Sequence, residues 1–291
     1  MNAIELFKQY IALLDEIYKL EAKTNILDGA NELVRQGANA NELIVPMISM
    51  DGLANYSRSS GYVNGSVEFN FETMKCNFDR GRMFTVDAMD NIETMGMVFG
   101  KLSSEFVRTK VIPELDAFRM AKYASLENIS TVEAADLTTG EAVLKALRAA
   151  TTKMNNDEVV ENNRILFIET GLKGLIDDVD TTKSKKVLEK FSRVVEMPQN
   201  RFYTAIKQLS GVEGETVGGY TRADGANNIN FLVVEKSATI QFAKRVNSKI
   251  ITPEQNQDAD AYKYGYRQVG IADAYENKRA GIYLHKSTVT A

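Results

Sequence analysis

One cysteine, Cys76, rules out an internal disulfide, and one histidine, His285, leaves little from which to build a soft-metal site. Long apolar runs are missing too. Stretches such as Phe231 to Val234 fall far short of the roughly 20 residues that a membrane-spanning helix needs. The first ten residues set Glu5 and Lys8 among apolar side chains, without a basic start followed by a long apolar stretch. They do not read as a secretory signal, and the expectation is a protein that folds and acts in a cytoplasm. Strong charge of one sign is also absent. A net charge of -4 and a pI near 5.4 do not suit a sequence-specific DNA binder, although one basic face could still meet nucleic acid; the balance points to protein partners.

Signs of catalysis are equally scarce. Triad chemistry needs an imidazole that accepts and returns a proton, and only His285 could serve; no Gly-x-Ser-x-Gly elbow accompanies it, so it reads as a structural histidine. A phosphate loop needs backbone N–H groups at a glycine-rich turn with a following Gly-Lys-Ser/Thr. Gly211 to Gly219 and Gly171 to Gly174 lack that ending and read as surface loops. Asp177, Asp178 and Asp180 resemble the start of a calcium loop, but Thr182 and Ser184 follow without the glycine and terminal glutamate, leaving a solvated acidic turn. Lys183, Lys185, Lys186 and Lys190 are diluted by Glu189 and by the preceding aspartates, which suits a solvated helix face better than a phosphate contact. Carboxylate pairs that meet only in space leave no trace in one sequence. No catalytic, cofactor-binding or metal residues are expected, and no cofactor.

What is present is material for a fold and for surfaces. With 291 residues and 44% hydrophobic side chains, the chain can bury a sizeable core in one large or two modest domains. Ile4, Phe7, Ile11, Leu14 and Tyr18 form one seam and Leu6, Tyr10, Leu13, Ile17 and Leu20 a second, with charged residues between them. The spacing predicts an amphipathic helix that must dock on its own body, on another subunit or on an accessory protein. Between Ile44 and Asp87 the composition turns to Gly, Ser, Asn and Tyr. Asn64-Gly65 signals a tight turn, and Val67, Phe69 and Phe71 alternate with Glu68, Asn70 and Glu72. A second turn is expected at Asp79-Arg80-Gly81, leading into Met83 to Val86. A two-stranded ribbon is marginal alone in water, so this one should lie across its own domain or a neighbour.

From Ile92 the period becomes helical and continues to Tyr123. If Pro113 only kinks it, the rod spans about 50 Å; the alternative is two helices broken before Pro113. Residues Thr138 to Val246 read as a compact α/β body. In it Thr138 or Thr139 caps a helix faced by Val143, Leu147, Ala150 and Met154, strands cover Arg164 to Ile168 and Ile229 to Val234, and helices cover Val187 to Val195 and Arg201 to Leu209. Tyr262, Tyr264 and Tyr266 alternate with polar residues, and Gly281 to His285 suggests a matching strand, so the chain is expected to close on a hairpin.

This order of parts, a helical arm, a β ribbon, a rod, an α/β body and a closing hairpin, resembles the major capsid proteins of tailed bacteriophages. Leu13 to Lys19 (LLDEIYK), Asn77 to Asp87 (NFDRGRMFTVD), Glu105 to Arg119 (EFVRTKVIPELDAFR) and Tyr264 to Lys286 (YGYRQVGIADAYENKRAGIYLHK) carry the likeness. It covers nearly the whole chain. Thr138 to Val246 contributes little that is diagnostic.

The resemblance implies the α+β Hong Kong ninety-seven type capsid fold. Residues 1–43 would be the N-terminal arm, 44–86 the extended loop, 87–130 and 257–291 the peripheral domain with its spine helix, and 131–256 the axial domain. Subunit-interface candidates are then Ile4, Phe7, Ile11, Leu14, Phe69, Phe71, Arg80, Arg82, Gly218 and Tyr220, with Gly81 and Pro113 as hinges. The implied partners are further copies in pentamers and hexamers, portal and head-completion proteins, and double-stranded DNA contacted without sequence specificity, with no membrane. Some relatives weld subunits through a lysine of the extended loop. Here the ribbon's only lysine is Lys75, so welding is not expected. Others carry a cleaved scaffold segment ahead of the arm. This sequence reaches the arm almost at once, so a separate scaffolding protein is expected. An encapsulin-type compartment shell and, more remotely, an α/β metabolic enzyme are the alternatives.

Overall fold

A computed structural model describes residues 22–29, 35–36, 42–89, 97–179 and 181–290. The helix expected over Ile4 to Leu20, with Ile4, Phe7, Ile11 and Leu14, lies outside the described residues, as does the start of the rod.

β1 (Arg35–Gln36), β2 (Glu42–Met50) and β3 (Val67–Lys75) form an antiparallel sheet in that order, with β2 and β3 paired from Glu42 opposite Lys75 to Met50 opposite Val67. The ribbon's tip differs from expectation. The chain reverses at Ser57–Gly61, where two backbone hydrogen bonds close the turn and Gly61 takes φ +78°, rather than at Asn64-Gly65. Asp51 closes the base of the tip by accepting from the Ser66 amide at 2.7 Å.

β4 (Phe78–Asp87) follows after two residues and runs unbroken through Asp79, Arg80 and Gly81, correcting the turn expected there. Side chains on both faces hold it extended: Asp79 pairs with Arg267 and Arg80 with Glu114. Gly81 is required by close approach, since a Cβ at that position would lie 2.7 Å from the Tyr266 carbonyl oxygen.

The rod is one continuous helix: α1 (Met97–Phe106), a π-helical turn (Val107–Val111) and α2 (Ile112–Ala124), together about 42 Å long. Ile112, before the proline, keeps helical angles of φ −61° and ψ −49°. Proline lacks an N–H and its ring collides with the carbonyl four residues back; the wider π turn just ahead of Pro113 relieves that collision without ending the helix.

After β5 (Ser130–Thr131), Thr139 caps α3 (Gly140–Asn156) by accepting from the Ala142 amide at 3.2 Å. There follow β6 (Arg164–Glu169), α4 (Thr170–Asp177), α5 (Thr181–Leu188), β7 (Arg193–Met197), β8 (Ile206–Gln208), β9 (Tyr220–Arg222), β10 (Asn227–Glu235), β11 (Thr239–Ile251), β12 (Ala261–Ala274) and β13 (Ile282–Thr290). A five-stranded sheet, β5-β13-β10-β6-β7, buries Leu166, Ile168, Phe231 and Val233 against Val143, Leu147 and Met154 of α3. Its opposite face, through Phe167, Leu232, Val234 and Ile282, meets Met120 and Tyr123 of the rod. Each such side chain contributes roughly 1.5–3 kcal/mol on leaving water. A second sheet, β11-β12-β4, lays Phe78, Tyr264 and Tyr266 on Val107, Val111, Ile112 and Leu115.

Three further expectations are corrected. The helix read over Val187 to Val195 ends at Leu188, and Arg193–Met197 is instead a strand parallel to β6: its β-branched valines complete the edge of a buried sheet, and tertiary pairing outweighs local helical spacing. Arg201 to Leu209 is the end of a 3-10 turn followed by β8, not a helix. β12 and β13 do not form a hairpin. β12 pairs with β11 and β4, whereas β13 crosses after a 3-10 turn (Glu276–Gly281) into the five-stranded sheet beside β10. β11 thus shares a sheet with β12 and β4, while β13 lies between β10 and β5 in the five-stranded sheet.

His285 is buried on β13, with Nδ1 3.0 Å from Asn230 Nδ2 and its ring stacked 4.9 Å from Phe231. Burial pushes its pKa below the usual imidazole range. The unfolded chain therefore binds a proton that the folded chain refuses, and stability should fall as pH drops below about 6.5 toward the folded pKa. Urea unfolding at pH 7.5 and 5.5 checks this, with His285→Gln expected to lose that part of the pH dependence.

Candidate assembly surfaces

Val67, Phe69 and Phe71 stand on one face of β3 because side chains on a strand alternate, and all three are exposed. Phe69 and Phe71 are each 57% exposed, with rings 5.0 Å apart, edge to face. At the tip Leu53, Tyr56, Tyr62 and Val63 are exposed as well, and the two tyrosines pack edge to face at 4.9 Å. Met74 at the ribbon's base is buried with Ile240, Phe242 and Ile271, and beyond it these apolar side chains stay exposed; contiguous exposed apolar surface is characteristic of interaction sites.

Arg80 and Arg82 leave β4 on the side that faces the rod, where they clasp the loop between β8 and β9. Arg80 Nε donates to Glu114 Oε1 at 2.6 Å, and its Nη2 donates to the carbonyls of Leu209 and Gly219 at 2.8 and 3.1 Å. Arg82 Nη2 donates to the Thr216 carbonyl at 2.8 Å. Gly218 has φ +65°, a backbone conformation that favours glycine, and a Cβ there would come within 2.8 Å of Arg82 Nη1 and displace the end of that side chain. Within the loop, Glu215 accepts from Lys207 at 2.6 Å and from the Ser210 amide at 2.7 Å, which together draw its pKa down to about 2. Tyr220 donates to the Asn200 carbonyl at 2.9 Å; burial pushes its hydroxyl up to about 12. Thus Arg80, Arg82, Gly218 and Tyr220 belong to one neighbourhood around this loop. Phe69 and Phe71 lie apart from it on the ribbon.

Arg80→Ala removes a charge-assisted bond to Glu114 and the donor to the Leu209 carbonyl, leaving Glu114 with Gln208 Nε2 and the Gly219 carbonyl with the Leu209 amide. It should cost about 1.5–3 kcal/mol and speed amide exchange at Leu209. Denaturant unfolding and hydrogen exchange measure both effects.

A junction that sequence reading did not foresee holds the root of the arm. Asp116, fully buried on α2, accepts from the Lys23 and Thr24 amides at 3.2 and 3.1 Å, from Thr24 Oγ1 at 2.7 Å and from Arg201 Nη1 at 3.4 Å. Arg119, one turn on, donates to Thr24 Oγ1 at 2.9 Å and pairs with Asp28 at 3.3 Å. Gln241 of β11 adds bonds to the Thr24 carbonyl and to Asp28, each 2.7 Å. Burial pushes the Asp116 carboxyl above its usual range, against the pull of the Thr24 donors. The signal was present in the sequence: Asp116 and Arg119, three apart, interrupt an otherwise apolar helix face and need buried partners.

Among the described residues, no group of three or more His, Cys, Asp or Glu side chains could hold a metal, and no helix is long and apolar enough to cross a membrane.

A β ribbon leading directly into a strand beside a long rod-like helix, joined to a separate α/β layer, is the arrangement of the Hong Kong ninety-seven type capsid fold, and this chain has that fold. Solved structures with the same arrangement include Mycobacterium phage Che8, at TM-score 0.59 and 9% identity over 85% of each chain. The capsid of Cyanophage P-SCSP1u matches at TM-score 0.56 and 10% identity, over 88% of this chain and 86% of that one. The virus-like particle from Pyrococcus furiosus matches at TM-score 0.59 and 9% identity, over 97% of this chain and 99% of that one. At such identities the shared property is the backbone arrangement. The sequence matches no family model and no curated protein.

Proposed function

We propose that this chain is the major capsid protein of a tailed bacteriophage, assembling through many copies into the icosahedral shell that encloses double-stranded DNA. The observation that carries the reading is the exposed aromatic ribbon on a capsid fold: Phe69 and Phe71, opposite Ile48 and Pro46 of β2, are each more than half exposed on the described chain. On this reading the ribbon covers a neighbouring subunit's rod and three-stranded sheet, which form the peripheral unit, while the five-stranded sheet and its helices form the axial unit around pentamer and hexamer centres.

Hinge roles for Pro113 and Gly81 belong to the same proposal. The π turn beside Pro113 supports the first; Gly81 is already explained by its close approach to Tyr266. The partners are further copies, a separate scaffolding protein, portal and head-completion proteins, and packaged DNA met without base readout. The chain's place is the virion, its assembly takes place in the host cytoplasm, and its role is structural, not enzymatic.

Electron microscopy of the high-molecular-weight fraction, after expression with and without the neighbouring genes, tests this. Closed shells, tubes or misassembled shells are expected. A protein that stays monomeric or dimeric in every condition overturns the function and leaves the fold.

A further inference from the structure

Asn64-Gly65 is left without a structural task. The ribbon reverses at Ser57–Gly61 instead, and Gly65 takes no positive φ. Both residues are exposed, lie outside helix and strand, and make no hydrogen bond among the described residues. The amide that follows them, that of Ser66, is held by Asp51. Asn64 is also the only asparagine in the chain that a glycine follows.

An asparagine side-chain carbonyl can be attacked by the backbone nitrogen of the next residue, closing a cyclic imide. The closure needs that nitrogen free of hydrogen bonds and a backbone able to turn it toward the side chain. Glycine meets both needs, because no Cβ shields the nitrogen or restricts its rotation. Two other exposed asparagines of the ribbon lack one condition or more. Asn55 lies outside regular structure but precedes the bulky Tyr56, and Asn70 is fixed in β3 ahead of Phe71.

We propose that Asn64 is a site of spontaneous deamidation. The Gly65 nitrogen gives up its proton to solvent and bonds to Asn64 Cγ, while the Cγ–Nδ2 bond breaks and Nδ2 leaves as ammonia. Water then opens the imide at either carbonyl, yielding aspartate or isoaspartate, with no oxidant or reductant consumed. Both products add a negative charge where Asp51 and Glu68 already stand. Isoaspartate also places an extra methylene in the backbone two residues before Ser66. Ser66 closes the tip on Asp51, its amide donating at 2.7 Å and its carbonyl accepting at 3.1 Å, so the exposed Leu53, Tyr56, Tyr62 and Val63 would be presented from a distorted base. On the shell reading, and resting on it, the reaction acts as a clock: a subunit that ages before assembly loses the fit of its ribbon.

The full-length, unassembled subunit is kept in warm, mildly alkaline buffer, and its proteolytic peptides are followed by mass spectrometry with aspartyl and isoaspartyl forms separated. Conversion at Asn64 is expected to be at least several-fold faster than at Asn55 or Asn70, to include isoaspartate, and to speed up as pH rises. Gly65→Ala should slow it several-fold. That variant keeps the tip, since a Cβ there would meet only Asp51, at an ordinary 3.7 Å. Conversion no faster than at Asn70, or unaffected by Gly65→Ala, overturns the site. Asn64→Asp tests the clock alone: fewer shells than the parent protein are expected, and an equal yield removes the clock while leaving the site. A parent protein that forms no shells at all would count against the shell reading and the clock, not against the chemistry at Asn64.

Discussion

Replacing Phe69 and Phe71 together with Asp yields a folded, soluble subunit that forms no shells. The two rings are more than half exposed and belong to none of the buried core clusters of the described residues, so the subunit loses almost none of its own core. Buried by a neighbour, each phenylalanine would contribute roughly 1.5–3 kcal/mol, and each aspartate would have to be desolvated in its place. Because every 1.4 kcal/mol is about a factor of ten in an association constant, the combined loss raises the concentration needed for assembly by at least about a hundred-fold. Light scattering and electron microscopy read the loss of particles, while the thermal midpoint of the isolated subunit should move by no more than a few degrees. Insoluble or unfolded protein would mean that the rings serve the internal core. Normal shells would remove the ribbon from the interface.

Asp116→Ala has the largest expected effect on the subunit itself. It strips the acceptor from two backbone amides, from Thr24 Oγ1 and from Arg201 at once, in a site closed to water. Breaking a buried charged network from one side costs roughly 3–5 kcal/mol. For a chain of this size the thermal midpoint should fall on the order of 10 °C. Asp116→Asn keeps one acceptor oxygen and should cost less. The raised pKa gives a further signature. The folded state holds a proton at pH values where the unfolded carboxyl, near 3.8, has already released it, so this group's contribution to stability declines as pH rises from about 4 through the folded pKa. Asp116→Asn abolishes that decline, and urea midpoints across the acid range measure it. A midpoint within 2 °C of the parent protein for Asp116→Ala would show that the junction does not hold the arm's root.

Where local spacing and tertiary demand agree, the sequence was a faithful guide. The alternation at Val67 to Phe71, the Thr139 cap, the rod through Pro113 and the strands at Arg164 and Ile229 all appear where the residue pattern places them. Misreadings fell where pairing partners lie far along the chain. Val194 and Val195 sit at helical spacing after Val187 and Phe191, but the open edge of β6, some thirty residues earlier, takes them as a strand. The alternation at Tyr262 to Tyr266 and a strand at Gly281 to His285 after the polar turn around Glu276 to Lys278 suggested one hairpin. Only the three-dimensional demand of the rod on the tyrosines, and of β10 on Ile282 and Leu284, separates them into two sheets. Asp79-Arg80-Gly81 has turn composition, and its extended form depends on Arg267 and Glu114, residues too distant for local reading to weigh. The ribbon surface was therefore legible as a periodic pattern. The arginine clasp was not, since it joins segments well over a hundred residues apart, and of the junction at Asp116 only the buried-charge signal was legible, its partners lying roughly ninety residues away.

Between the ribbon and the sheet beside the rod lie just two residues, Cys76 and Asn77, and Asn77 is pinned by a pair of bonds to one residue: its Nδ2 donates to the Ala272 carbonyl at 2.7 Å and its Oδ1 accepts from the Ala272 amide at 3.1 Å. That pin is a fulcrum. With β3 extending about 30 Å beyond it, a tilt of about 10° there would sweep the far end of the strand through about 5 Å, close to the spacing of adjacent strands in a sheet. On the proposed assembly, a subunit built in this way would meet neighbours at different curvatures by rocking a stiff lever about this base, where Met74 also packs on Ile240, Phe242 and Ile271, leaving the hydrogen bonds along its length intact.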